Sequence, residues 1–477
     1  MTSRTNLPNV IVVVLDTARA DAFEPYGAPA GASPTLTQLA SEGAAHPTAI
    51  APSNWTMPSH ASMFSGLLPR AAGLSLLPNG KPTNCRIVIE SLRDRWLPEV
   101  LRRSGYATAA ATTNTWVSEQ IGFATGFDDF QNLVGKRVRR MHDAGVRGFL
   151  RWYAQAFLAR VDDGLKTTED QVRRWIDQAD RPFFWFINLI ECHSPYLPPQ
   201  PYNDLGPLNR LAAARDARRY QTLTGVWRAC ATGVTPPQRS LRRMRHMYDR
   251  SIRMMDDWLE RVCDALDRRG LLDETLLVVT SDHGENFGEG NLFGHAVSLD
   301  DRLIKVPLVF RGPGAPAPNG VTSLAALPRL LADAIDLQSH PWSPGDLPAG
   351  PAVAQYDVTK DPDEPGLQVI RDWGATEEGV RRFALPCTAA TDGRYKLVRL
   401  GTVERLYDLE RDPLELEPIR EEPPDVVAEL RRSLHASDAS EWTPDLEALR
   451  AAGAQDPKLG DAELKELEDR MRLLGYL

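Results

Sequence analysis

Four short runs of nearly unbroken apolar residues constrain this chain most: "NVIVVVL" from Asn9, "YATAAAT" from Tyr106, "FFWFINLI" from Phe183 and "TLLVVT" from Thr275. A strand wetted on one side alternates polar and apolar residues. These runs carry apolar side chains at successive positions, so both faces must be covered. Helical segments separate them, among them "LPEVLRRSG", "TEDQVRRWIDQAD" and the long "MYDRSIRMMDDWLERVCDALDRRG", which stops at Gly270. The alternation predicts an α/β protein whose mainly parallel sheet is sandwiched by helices. At 477 residues the chain exceeds what one core usually holds, so a large domain with a smaller companion is expected.

The Pro- and Gly-rich passage "SHPWSPGDLPAGPA", residues 339–352, predicts the boundary between a catalytic domain, 1–345, and a C-terminal subdomain, 346–477. In the latter, "ATDGRYKLVRL" and "ERLYDLERDPLELEP" read as a small antiparallel sheet with Gly393 in a turn. The tail "DAELKELEDRMRLLGYL" reads as an amphipathic helix docked on the body. Arg-rich helical insertions are expected at about 131–180 and 203–247, where arginines alternate with apolar residues as on solvated helix faces.

Composition narrows the function classes. With 42% hydrophobic and 25% charged residues the chain is neither disordered nor fibrous. Its net charge of −9 gives no reason to expect a nucleic-acid partner. No run approaches the roughly 18 apolar residues that span a membrane. The N-terminal "MTSRTNLPNVIVVVLDTARAD" lacks a small-residue cleavage site and reads as a first strand rather than a signal peptide. A cytoplasmic protein with no membrane partner is therefore expected. The five cysteines are dispersed without CxxC spacing, which argues against a disulfide framework or a structural zinc site.

Polar residues follow the strands closely: Asp16 after the first, His193 after the third, and "SDHGE" with Asp282 and His283 after the fourth. Ligands of open α/β sheets bind at the carboxyl ends of strands. Two carboxylates and an imidazole there make a reasonable site for a divalent cation. Singly each has a plainer reading: Asp16 as a helix cap, Gly284 as a tight turn, His193 as a packed loop histidine. In "SNWTMPSHASMFSG" a helix is predicted with Pro58 in a first helical position and Gly66 as its stop. Thr56 then stands just ahead of a helix N-terminus, where orphan N–H groups favour anions. A simple cap remains open for Thr56 on this stretch alone.

The ordered set "NVIVVVLDTARAD", "APSNWTMPSHASMFSG", "LPEVLRRSGYATAAATTNTW", "PFFWFINLIECHSPYLPP", "TLLVVTSDHGENFGEGNLFGH", "IKVPLVFRGPG", "YKLVRL" with "LYDLERDP", and the closing "LLGYL" resembles the sulfatase-like branch of the alkaline phosphatase superfamily. The resemblance runs from about residue 9 to the C-terminus. It implies an α/β fold with a large mixed, mostly parallel sheet and a smaller C-terminal α+β subdomain. It also implies a metal-dependent hydrolase. Asp16, Asp282 and His283 match the family's metal ligands, and Thr56 occupies its nucleophile position, also against the metal. His193 matches a histidine near the leaving group. His295, in "LFGH", stands where many sulfatases place a lysine on the substrate anion. Asn114 falls near another family lysine, and His60 replaces the usual arginine; both are expected to bind substrate.

The departures carry information. The family's formylglycine arises from Cys or Ser followed by x-Pro-Ser-Arg, whereas this chain has Thr56-Met57-Pro58-Ser59-His60, so no formylglycine is expected. An ester on threonine must be opened by a second attack at the central atom, which phosphorus permits more readily than sulfur. Thr17 follows Asp16 where many sulfatases carry a second aspartate. One cation is expected, with Mn²⁺ or Zn²⁺ favoured over Ca²⁺ or Mg²⁺. The expected activity is hydrolysis of a small anionic phosphoester, phosphodiester or phosphonate ester through a covalent Thr56 intermediate. The alternatives are a sulfate-ester hydrolase, a transferase to an acceptor, and a non-catalytic binding homologue. A homo-oligomer is compatible with this reading.

Overall fold

The computed structural model describes residues 7–134, 145–180, 182–358, 365–420 and 423–452. The expected terminal helix lies outside these residues, as does part of the first Arg-rich insertion. A seven-stranded sheet forms the centre, in the order Ala44–Ala45, Leu308–Arg311, Thr275–Thr280, Asn9–Leu15, Phe183–Leu189, Ala107–Thr112, Asp129–Asn132. The strands from Thr275–Thr280 onward are parallel, and Leu308–Arg311 runs antiparallel to both its neighbours. Each of the four apolar runs forms one of these strands.

The first strand shows why the runs do not alternate. Val10, Val12 and Val14 pack on one side with Met57, Phe64 and Trp96. Ile11, Val13 and Leu15 pack on the other with Trp175, Tyr248 and Trp258. Each such side chain contributes about 1.5–3 kcal/mol relative to exposure, so a polar residue on either face would be penalised. The long helix begins earlier than its apolar stretch suggested, at Gln238, and runs to Arg268. Leu241, Met244 and Tyr248 already keep helical spacing on its buried face.

The C-terminal sheet is an antiparallel meander of Ala352–Tyr356, Cys387–Thr391, Tyr395–Leu400 and Val403–Asp408. Gly393 takes the turn at φ 97°, as expected. This sheet braces the site region directly. Ser53, just before the Thr56 helix, donates to Gln355 O at 2.8 Å, and Arg70, just after it, donates its backbone N–H to Gln355 Oε1 at 3.0 Å. Lys396 is wholly buried, with Nζ 2.8 Å from Asp301 Oδ1 and 3.0 Å from Glu415 Oε2. Removing one member of such a buried set strands the remaining charges, at a cost of about 3–5 kcal/mol.

Candidate active site

The sheet brings the separated polar residues together. Asp16 ends the first strand, Asp282 and His283 follow Thr275–Thr280, Asn114 follows Ala107–Thr112, and His193 follows Phe183–Leu189. Asp16, Thr56, Asp282 and His283 are all fully buried. One ligand atom from each of Asp16, Asp282 and His283 lies within 4.8 Å of the others. A cation with bonds of about 2.0–2.2 Å spans such a gap.

Two details of the donor set fit a cation. Asp282 Oδ1 accepts from Thr17 N at 3.1 Å, but Asp282 Oδ2 is buried with no hydrogen-bond partner. His283 Nδ1 lies 3.0 Å from Gly284 O and must donate to it, so Nε2 carries the lone pair. Gly284 makes this turn possible because any Cβ there would meet Arg302 O at 2.1 Å. Thr17 does not replace the missing second aspartate as an inward ligand, since its hydroxyl donates to Asp16 Oδ1 at 3.0 Å. Its φ of 65° is unusual for a β-branched residue. Such strain, about 1–3 kcal/mol, persists where surrounding contacts over-determine the backbone.

Thr56 is not a cap. The helix spans Thr56–Ser65, Trp55 is the capping position without a side-chain bond, and Thr56 is itself the first helical residue. The start lies two residues earlier than Pro58 suggested because Trp55 is fully extended, at φ −151° and ψ 164°. Gly66 ends the helix in the left-handed conformation, as expected. Thr56 Oγ1 stands 3.4 Å from His283 Nε2 and 3.3 Å from Asn114 Nδ2. Asn114 also donates to Asp16 Oδ2 at 2.7 Å. His60 lies one turn further along, where Nδ1 donates to Thr56 O at 2.9 Å and stands 3.6 Å from Asp282 Oδ2.

His193 and His295 form the remaining edge of the cluster. Their ring centroids are 4.9 Å apart, and that of His295 is 4.7 Å from His283. His193 Nδ1 donates to Ser194 O at 2.8 Å.

Two residues were given no role from sequence. Asn188 Nδ2 donates to Asp16 Oδ2 at 3.3 Å and lies 3.4 Å from His60 Nε2. It is the one polar side chain in "FFWFINLI", and that lone interruption was the available signal. Glu285 pairs with His295, whose Nδ1 is 3.1 Å from Glu285 Oε1, while Tyr196 OH donates to Glu285 Oε2 at 2.5 Å. A two-stranded hairpin explains the pairing: Asn286–Phe287 is antiparallel to Phe293–Gly294, so residues 285 and 295 flank its open end. Arg19 Nη1 ties this hairpin to the end of the first strand, donating to Glu285 O at 3.1 Å and Glu289 Oε1 at 2.8 Å.

Burial pushes the carboxyls of Asp282 and Glu285 up to about 7, and raises Asp16 with help from the Asp282 charge beside it. Burial also pushes His60, His193, His283 and His295 down to about 4. Both directions reflect the cost of holding charge away from water. A divalent cation among the carboxylates would offset that cost, as a bound anion would for the histidines.

Comparison with known proteins bears on the family and the fold. The sulfatase family model matches residues 8–337. A choline-sulfatase of Rhizobium meliloti is 32% identical over 222 residues, 45% of this chain and 40% of that protein's length. The multifunctional alkaline phosphatase superfamily protein PehA of Trinickia caryophylli is 25% identical over 367 residues, 64% of this chain and 68% of that protein. The fold is similar to the phosphonate monoester hydrolase of Agrobacterium radiobacter, with a TM-score of 0.60 at 19% identity over 95% of this chain and 97% of that one. It is also similar to BT1596, a 2-O GAG sulfatase, with a TM-score of 0.63 at 16% identity over 91% and 92% of the two chains. The family match extends over well more than half of the sequence and over every strand of the central sheet, and the chain belongs to the sulfatase family.

Proposed function

We propose that the chain is a metal-dependent hydrolase of phosphate diesters or phosphonate esters, acting through a covalent ester on Thr56. The observation that carries this reading is the setting of Thr56 Oγ1. It opens a wholly buried helix, 3.4 Å from His283 Nε2 and 3.3 Å from Asn114 Nδ2. Asp16, Thr56, Asp282 and His283 would hold one divalent cation, with Mn²⁺ or Zn²⁺ suiting the mixed oxygen and nitrogen donors. The cation would supply the positive charge that makes the hydroxyl a nucleophile and offsets charge on the transferring group.

The protein's own groups do the rest. Thr56 would enter as the alkoxide, its proton lost to solvent under the charge the cation would supply. Its oxygen forms a bond to phosphorus as the bond to the leaving oxygen breaks, and the leaving oxygen takes the electron pair; when water later opens the ester the Thr56 oxygen takes back its electron pair and the alkoxide is restored. Asn114 Nδ2 orients the attacking oxygen. His193 or His295, protonated when the anionic substrate enters, gives its proton to the leaving oxygen. The resulting neutral imidazole accepts a proton from the water that opens the Thr56 ester. His60 holds the Thr56 carbonyl from behind, which makes it a positioning residue in this scheme rather than a substrate donor. Glu285 fixes the His295 ring and favours its charged form.

The purified chain, loaded in turn with Mn²⁺ and Zn²⁺, is to be assayed on aryl phosphate diesters, phosphonate monoesters and aryl sulfates, with transfer products sought alongside. A preference for phosphorus esters is expected. A preference for sulfate esters, or release of the group only to an added alcohol or amine, overturns the reading in favour of a sulfatase or a transferase. Glu285→Gln should lower kcat on alkyl leaving groups by about 10- to 100-fold with KM little changed. Nitrophenyl esters, whose leaving groups need no proton, should be nearly unaffected. Steady-state kinetics across a leaving-group series checks this, and equal loss on every ester would reject the role.

A further inference from the structure

Twelve large apolar side chains stand exposed among the described residues, and six of them lie on two neighbouring helices. Val146, Phe149, Leu150, Phe157 and Leu158 belong to Gly145–Leu158, and Leu208 to Pro207–Tyr220. The first helix is apolar on two sides. At about 100° per residue, Gly148, Trp152 and Ala156 share one side. That side is buried against the second helix, with Trp152 Nε1 donating to Ala214 O at 3.2 Å. Val146, Leu150 and Phe157 share the far side, about 140° round from the first, where Val146 is 76% and Leu150 61% exposed; the half-buried Tyr153 packs against the buried cluster. Packing among the described residues accounts for the first side and leaves the second exposed.

Within the two helices the charges are almost all of one sign. The two helices carry Arg147, Arg151, Arg210, Arg215, Arg218 and Arg219, against a single acid, Asp216. Asp216 is fully buried and pairs with Arg243 at 2.7 Å and with Arg215 at 3.3 Å. Arg218 holds its guanidinium 5.7 Å from the centre of the Phe149 ring, beside the ridge. This is a local cationic and apolar surface on a chain whose net charge is −9.

We propose that these two helices dock the protein on a lipid bilayer surface rich in anionic headgroups. Such a surface satisfies both features, since apolar side chains enter the boundary below the headgroups while arginines meet the phosphates. A second copy laid on the same face about a two-fold axis would set arginine against arginine. Single-stranded nucleic acid would use the charges and the aromatic rings but leave the valine and leucines unused. A surface helix needs no spanning segment, so this differs from the expectation of no membrane partner without contradicting the lack of a long apolar run. Leu197, four residues after His193, packs in the same cluster as Trp152. The docked helix therefore packs, on the side away from the bilayer, against the segment that follows His193.

The test is co-sedimentation of the full chain with large unilamellar vesicles, phosphatidylglycerol mixed with phosphatidylcholine against phosphatidylcholine alone. Binding is expected only to the anionic vesicles, and it should weaken as salt screens the arginines. Leu150→Glu, and separately Val146→Glu with Phe157→Glu, should each lower the partition coefficient at least about tenfold. Their melting temperatures should stay near that of the parent, because the replaced side chains are exposed. Three results overturn the proposal: no binding to anionic vesicles, binding that survives the glutamate variants and falls only when Arg147 and Arg151 are replaced, or a dimer in velocity sedimentation that Leu150→Glu dissociates.

Discussion

Thr56→Ala is expected to lower kcat by about 10⁴-fold or more while leaving the fold intact. The side chain is small, makes no capping bond and lies at the first helical position, so its loss leaves the helix contacts in place. What disappears is the oxygen held between His283 Nε2 and Asn114 Nδ2. Losing two long hydrogen bonds at 3.3–3.4 Å costs at most about 1 kcal/mol of stability. The catalytic loss corresponds to about 5.4 kcal/mol or more in the barrier. Thr56→Ser keeps the nucleophilic oxygen and should retain measurable turnover. After acid quenching, the parent enzyme should carry the transferred group on the peptide containing Thr56, and the alanine variant should not. An alanine variant with near-parental kcat would show that the attacking group lies elsewhere.

Asp282→Asn should separate the metal's role from that of the fold. The amide is nearly isosteric, and its oxygen can still accept from Thr17 N, as Oδ1 does at 3.1 Å in the parent. It cannot supply the negative charge that a cation needs from the orphaned Oδ2. Chelation should abolish parental activity, and Mn²⁺ or Zn²⁺ should restore it. The asparagine variant should remain at least about 10²-fold less active at any tested metal concentration. The stability pattern is the more telling readout. In the parent, metal at about 100 times its dissociation constant adds roughly 2.7 kcal/mol, seen as a rise in melting temperature. The variant should lose most of that rise. Without metal it should melt no lower than the parent, because substitution removes a buried charge that repels Asp16. A variant that keeps the full metal-dependent rise would place the ion at other residues.

Much of the fold was legible in the sequence for one physical reason. A strand covered on both faces has no position at which a polar side chain is tolerated, so "NVIVVVL" and "TLLVVT" announce themselves. The same geometry made Asp16, Asp282 and His283 readable, because a charge immediately after such a strand lies at the carboxyl edge of the sheet. Thr56 was harder. Pro58 suggested the helix start, but with Trp55 extended the first helical residue is Thr56; the Trp55 ring stands edge-on to that of Trp116, 5.3 Å away, a contact that local propensity does not encode.

The sequence alone determined that these strands form, that they are buried on both sides, and that two carboxylates, an imidazole and a threonine lie at strand ends or a helix mouth. Only the tertiary structure decided which side chains meet. The register of a two-stranded hairpin sets His295 against Glu285, and the parallel pairing of Phe183–Leu189 with Asn9–Leu15 carries Asn188 beside Asp16. Local propensity encodes neither contact. Each depends on which strands become neighbours and in what register, and that is settled by burial summed over the whole sheet rather than by the residues that finally touch.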